Sequence, residues 1–100
     1  MSGVSLFEGH PEVSFAALKG SNLEFNKRSW NGQMERRGML ASAGLVIPDI
    51  LPEPLSRAPV DDVLDAAVMA WTARRIHAGE ARTLPHPPED IGGRQVAIWY

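Results

Sequence analysis

Apolar residues in this chain fall in short bursts separated by glycine and proline, and the spacing inside each burst predicts an element. Val4 to Phe7 is short, apolar and β-branched at Val4, the pattern of the end of a buried strand, and Gly9-His10-Pro11 breaks it. From Glu12 to Leu18, the residues Val13, Phe15, Ala16, Ala17 and Leu18 fit a short helix. Pro11 stands at its first turn, where a missing N–H costs nothing, and Gly20 stops it. Lys27 to about Ala43 predicts a second helix, with Trp30, Met34, Ala41 and Leu45 on one face. Gly32 and Gly38 lie inside it, each costing up to ~1 kcal/mol against alanine. Residues 46–60 contain prolines 48, 52, 54 and 59 and form an irregular connector, with an apolar turn at Ile50-Leu51.

The third helix has the clearest signature. Pro59 precedes it, Asp61 is a good N-cap, and Gly79 closes it after Arg74, Arg75 and His77. Val63, Leu64, Ala66, Ala67, Val68, Ala70, Trp71, Ala73 and Ile76 occupy most of its circumference, the pattern of a helix buried on nearly every side. A narrow polar stripe remains, holding Asp61, Asp65 and Thr72. Beyond it come a proline-rich loop (Pro85, Pro87, Pro88), a Gly92-Gly93 turn, and a strand-like alternation from Gln95 to Tyr100. The expected class is mixed α/β, with few strands and about three helices. One or two strands do not make a stable sheet in water. The strands therefore pair across a dimer, or the chain is part of a larger fold.

Composition narrows the chemistry. The chain has 100 residues, 44% of them hydrophobic, and suits a single domain spanning 1–100. There is no cysteine, which excludes a disulfide framework, a thiolate zinc site and a cysteine nucleophile. No run of about 18 apolar residues predicts a membrane span, and the first residues do not read as a secretory signal. A cytoplasmic location is expected. The formal net charge of -2 argues against bulk attraction to nucleic acid, although a local basic patch can still supply it.

Three stretches carry candidate chemistry. In Asp61-Asp62-Val63-Leu64-Asp65, positions 61 and 65 share a helix face, where like charges repel. Helix capping and the dipole account for Asp61 and Asp62. Asp65 sits a turn further in, on a helix bound for the core, and needs an arginine, a hydrogen-bond network or a cation. Oxygen-only clusters suit Mg²⁺ or Mn²⁺. Glu8-Gly9-His10-Pro11-Glu12 places two carboxylates and an imidazole at a strand-to-helix turn, a frequent site position in α/β folds. Glu12 and His10 also have plain structural roles there, in the first helical turn and the loop. Lys27-Arg28-Ser29-Trp30 through Glu35-Arg36-Arg37 offers phosphate contacts with Trp30 stacking on a base, or else a solvated helix face with Trp30 in the core.

These stretches together resemble a bacterial family of predicted nucleases with an RNase H-like fold, known as domain of unknown function 429. Glu8-Gly9-His10-Pro11-Glu12-Val13-Ser14-Phe15-Ala16-Ala17-Leu18-Lys19-Gly20 is similar to its E-x-H-P-E-x-S-F-x-x-L-x-G segment. Lys27, Gly32, Glu35-Arg36 and Leu40 resemble its K-x-x-x-x-G-x-x-E-R-x-x-x-L helix. Asp61-Asp62-Val63-Leu64-Asp65-Ala66 with Ala70-Trp71-Thr72-Ala73 resembles its D-D-V-L-D-A helix and the A-W-T-A that follows. Leu84-Pro85, Pro88-Glu89 and Ala97-Ile98-Trp99 look like its closing segment. Gly9 departs from the family, which has an aliphatic residue there, and this loosens the strand around Glu8.

The resemblance implies metal-dependent phosphodiester hydrolysis with Mg²⁺ or Mn²⁺, which activates water and stabilises the leaving oxygen. It makes Glu8, Asp61 and Asp65 the expected metal ligands and catalytic groups, with His10 orienting water or a phosphate. Glu12, Lys27, Arg36 and Asp62 are the expected substrate-side residues. Family members look roughly twice as long and begin with a strand bearing an Asp-Gly motif. The resemblance therefore covers a C-terminal half, a partial RNase H-like fold completed by a second copy or a separately encoded N-terminal half. Nucleic acid is the expected substrate. The alternative is a non-catalytic dimerisation or assembly module.

Overall fold

The computed structural model describes residues 7–100. Strand β1 (Glu8–Gly9) leads into helix α1 (Pro11–Lys19), helix α2 (Trp30–Ser42), a 3-10 turn at Leu55–Arg57 and helix α3 (Val60–His77). Strands β2 (Thr83–Ile91) and β3 (Arg94–Trp99) close the chain. The class is mixed α/β, as the pattern predicts. The sheet order is β1-β3-β2: β1 runs parallel to β3, with Glu8 opposite Ile98, and β2 runs antiparallel to it. The expected strand over Val4–Phe7 lies almost wholly outside the described residues, and β1 carries Glu8 within it.

Local signals explain most boundaries. Pro11 opens α1, and Gly20 ends it at φ 82, its N–H donating to the Ala16 carbonyl. Helix α2 starts three residues later than predicted, at Trp30, because the Ser29 hydroxyl accepts the N–H of Gly32 and caps it. Lys27 and Arg28 thus belong to a loop. Helix α3 starts at Val60 with Pro59 as its N-cap, so Asp61 and Asp62 sit in its first turn, next to the exposed N–H groups. The connector over 46–60 is irregular apart from the turn at Leu55–Arg57, and Ile50 is exposed.

The proline-rich tail is a strand, not a loop. Between β2 and β3 the register moves from Leu84↔Ile98 to Glu89↔Val96. The intervening β2 residues, three of them prolines, have no opposite number in that register. A bulge on an edge strand is where residues lacking an N–H do least harm. Gly92 and Gly93, at φ 59 and 80, make the two-residue hairpin turn, a geometry that favours glycine.

The core is built by one stripe from each helix. Phe15 of α1, Leu40 of α2, and Leu64 and Val68 of α3 form its centre, each side chain contributing about 1.5–3 kcal/mol on burial. Thr72 joins them through a hydrogen bond of 2.6 Å to Ser14, inside the α1–α3 contact. Two expectations are corrected here. Trp30 is 72% exposed, because α2 buries Gly32, Arg36 and Leu40 instead. Helix α3 is not buried all round: Ala66, Ala70 and Ala73 face out. Among the described residues no helix is long and apolar enough to cross a membrane.

Candidate active site

Glu8 is carried by β1 and is exposed. It lines an open cavity of about 620 Å³ whose walls include Phe7, Met69, Thr72, His77 and Trp99. Phe7 and Trp99 meet edge to face at 4.9 Å between ring centroids. Gly9 lets this wall close: a Cβ there would lie 2.2 Å from the Met69 terminal methyl, so the Met69 side chain occupies the space that a larger residue at position 9 would take. The next residue, His10, is the N-cap of α1 and is exposed. Its carbonyl accepts the Ser14 N–H at 3.0 Å, and its imidazole makes no capping bond.

Asp61 and Asp65 are four positions apart on α3, on one face, and are half-buried. Both turn towards Lys27, whose Nζ lies 3.4 Å from Asp65 Oδ2 and 4.0 Å from Asp61 Oδ2. Asp65 Oδ1 is buried and accepts no hydrogen bond. Asp62 points to solvent.

Two neighbours on α2 place Lys27. Glu35 accepts the backbone N–H groups of Glu24 and Phe25, both at 3.3 Å, and the Lys19 ammonium at 2.9 Å. Burial raises the Glu35 carboxyl, but the Lys19 hydrogen bond, the two backbone N–H groups and the Lys19 charge outweigh it and hold the group below its ordinary value. Arg36 is buried over α1. It donates to both carboxylate oxygens of Glu12, at 2.8 and 3.3 Å, and to the carbonyls of Phe25 and Gly32. Its guanidinium also stands 5.6 Å from the Phe15 ring centroid.

Much of the basic stretch is therefore bonded within the chain. Arg36 holds Glu12, Lys27 holds the aspartates, and Arg37 pairs with Asp49 and donates to the Ile47 carbonyl. Sequence reasoning named Glu12, Lys27 and Arg36 but not these pairings, and it gave Glu35 no role. Buried Gly32, Arg36 and Leu40, spaced by four, were the available signal for the inward face of α2.

Glu8, Asp61 and Asp65 do not form one ligand set. Every α3 residue on the Glu8 cavity lies at least four positions beyond Asp65, about 6 Å or more along the helix axis. Among the described residues no three His, Asp or Glu side chains group as metal ligands do. The aspartate pair offers one buried, unpartnered oxygen, but its other contacts belong to an ammonium. Among the described residues, the side chains as arranged do not fit a complete divalent-ion centre.

Residues 3–90 match the model of the family described as "Protein of unknown function (DUF429)". No curated protein and no solved structure matches the chain.

Proposed function

This chain belongs to the DUF429 family, and we propose that it is one part of a metal-dependent phosphodiester hydrolase of RNase H-like type whose centre is completed only in an assembly. The observation that carries this reading is Glu8, an exposed carboxylate on an edge strand beside an open cavity. The separation of the other acidic residues from it is the reason the centre would need an assembly: Asp61 and Asp65 stand a turn or more away, with Lys27 between their oxygens. The exposed apolar surface supports an assembly. Of the large hydrophobic residues exposed among the described residues, Trp30, Leu55 and Val60 line one open cavity together with Met34 and Leu51, a contiguous apolar surface that a partner would cover.

Mg²⁺ or Mn²⁺, held in the completed centre, would supply Lewis acidity to a phosphodiester of nucleic acid. The residues of this chain would present Glu8 at the cavity, keep the acidic start of α3 in place, and leave β1 open to a second copy or a separately encoded segment. A second reading, a scaffold without catalysis, is favoured by the ammonium that already neutralises part of the aspartate pair.

Hydrolysis of single-stranded, duplex and hybrid substrates with Mn²⁺, assayed across size-separated fractions, tests the proposal. Activity confined to the assembled fraction and abolished by Glu8→Gln is the expected result. Assembled protein without hydrolysis leaves the scaffold reading. Hydrolysis by a monomer, unchanged in Glu8→Gln, overturns the assembly-dependent centre.

A further inference from the structure

We infer that Lys27 is the resident cation of the Asp61–Asp65 pair, its ammonium standing where a divalent ion would bind, so that this residue decides which cation the pair accepts. The inference rests on the mismatch between the side chains and a metal centre, and it is independent of whether the chain hydrolyses anything.

Lys27 is not an ordinary surface lysine. The loop is fixed on both sides of it. Before it, Glu35 takes the N–H groups of Glu24 and Phe25, and Arg36 takes the Phe25 carbonyl. The Asn26 carbonyl accepts the Ser29 N–H at 3.0 Å and the Ser29 hydroxyl at 2.7 Å, and the Asn26 side chain accepts the Arg28 N–H at 2.8 Å. Gly32 closes the packing, because a Cβ there would fall 1.8 Å from the Asn26 carbonyl oxygen. With its backbone held this way, Lys27 has only its side-chain freedom left to lose on pairing, so the loop does not have to be ordered as well.

The charge at the pair is also unbalanced. Two carboxylates face one ammonium, and Asp65 Oδ1 is buried without a partner. Removing the ammonium leaves two half-buried carboxylates on one helix face, an arrangement that calls for another cation.

The test is Mn²⁺ binding, followed by the loss of the free-ion electron paramagnetic resonance signal and by the rise in melting temperature. Wild type, Lys27→Met, Lys27→Gln, and Lys27→Met combined with Asp65→Asn are compared, each first shown to melt cooperatively. The expected result is Mn²⁺ binding by Lys27→Met and Lys27→Gln that is tighter by about tenfold or more than any binding by wild type at this pair. Adding Asp65→Asn to Lys27→Met is expected to remove it. The inference is overturned if wild type binds as tightly as the Lys27 variants, or if both folded Lys27 variants bind nothing.

Discussion

Arg36 on α2 reaches across to α1 and grips Glu12 with two nitrogens, Nη2 at 2.8 Å from Oε2 and Nε at 3.3 Å from Oε1. The same guanidinium ties down two backbone carbonyls, so it joins α1, α2 and the intervening loop at one buried point. Its side chain is 3% exposed and that of Glu12 is 37% exposed. The two partners therefore carry different weights. Arg36→Met should cost about 3 kcal/mol, because it strands buried carbonyls as well as a carboxylate. Glu12→Gln keeps an acceptor and should cost about 1 kcal/mol. Urea denaturation of both variants checks the asymmetry. Equal losses would show that the salt bridge alone matters.

The Ser14–Thr72 hydroxyl pair is expected to behave as a coupled unit. Each residue is fully or almost fully buried, so Ser14→Ala or Thr72→Val leaves one hydroxyl without its partner and should cost about 1–2 kcal/mol. The double variant removes both polar groups and should cost less than the sum of the two. A double-mutant cycle on unfolding free energies measures the coupling, and strict additivity would mean that the hydrogen bond contributes nothing.

Two glycines of α2 should respond to alanine with opposite signs. At Gly32 an added Cβ meets the backbone of Asn26, which cannot step aside without moving the loop, and a loss of about 3 kcal/mol is expected. At Gly38 a Cβ meets nothing within 4 Å, so alanine should stabilise by about 0.5–1 kcal/mol through helix propensity. Paired melting curves decide it; the same sign at both positions would contradict the packing described for Gly32.

Acid should loosen the loop through Glu35. A carboxyl whose folded pKa is depressed contributes stability that is fully present above its unfolded pKa and is lost as pH falls through the folded value. The contribution of Glu35 to wild-type stability is therefore expected to hold from neutral pH down to the ordinary carboxylate range and to be lost as pH falls below it, through the lowered folded value. Glu35→Gln should be less stable at neutral pH and show a shallower decline. Parallel pH profiles for the two proteins would remove Glu35 from this role.

The helices were largely legible in the sequence because their ends carry local signals. Pro11 and Gly20 bound α1, and the acidic first turn and basic last turn of α3 match its dipole. The inward faces were harder to read. Trp30 has the largest apolar side chain on α2, yet the buried stripe passes through a glycine and an arginine, whose burial depends on partners remote in sequence. The treatment of Gly32 and Gly38 as equal costs failed for the same reason, since only one of them faces Asn26. Strand β2 was missed because proline argues against a strand unless a bulge removes it from the ladder, and a bulge leaves no simple pattern. In the site, the acidic and basic residues stood out individually. The long-range pairing of Lys27 with Asp61 and Asp65 did not, because it spans 38 positions in the case of Asp65.

The most direct test of an assembly-dependent centre is the mass of the native particle in solution, measured by sedimentation equilibrium on protein that contains Glu8 and α3 intact. Association beyond a single chain, whether with itself or with a co-purified partner, is the expected result. A monodisperse particle of 10.9 kDa that melts in one cooperative transition would contradict it.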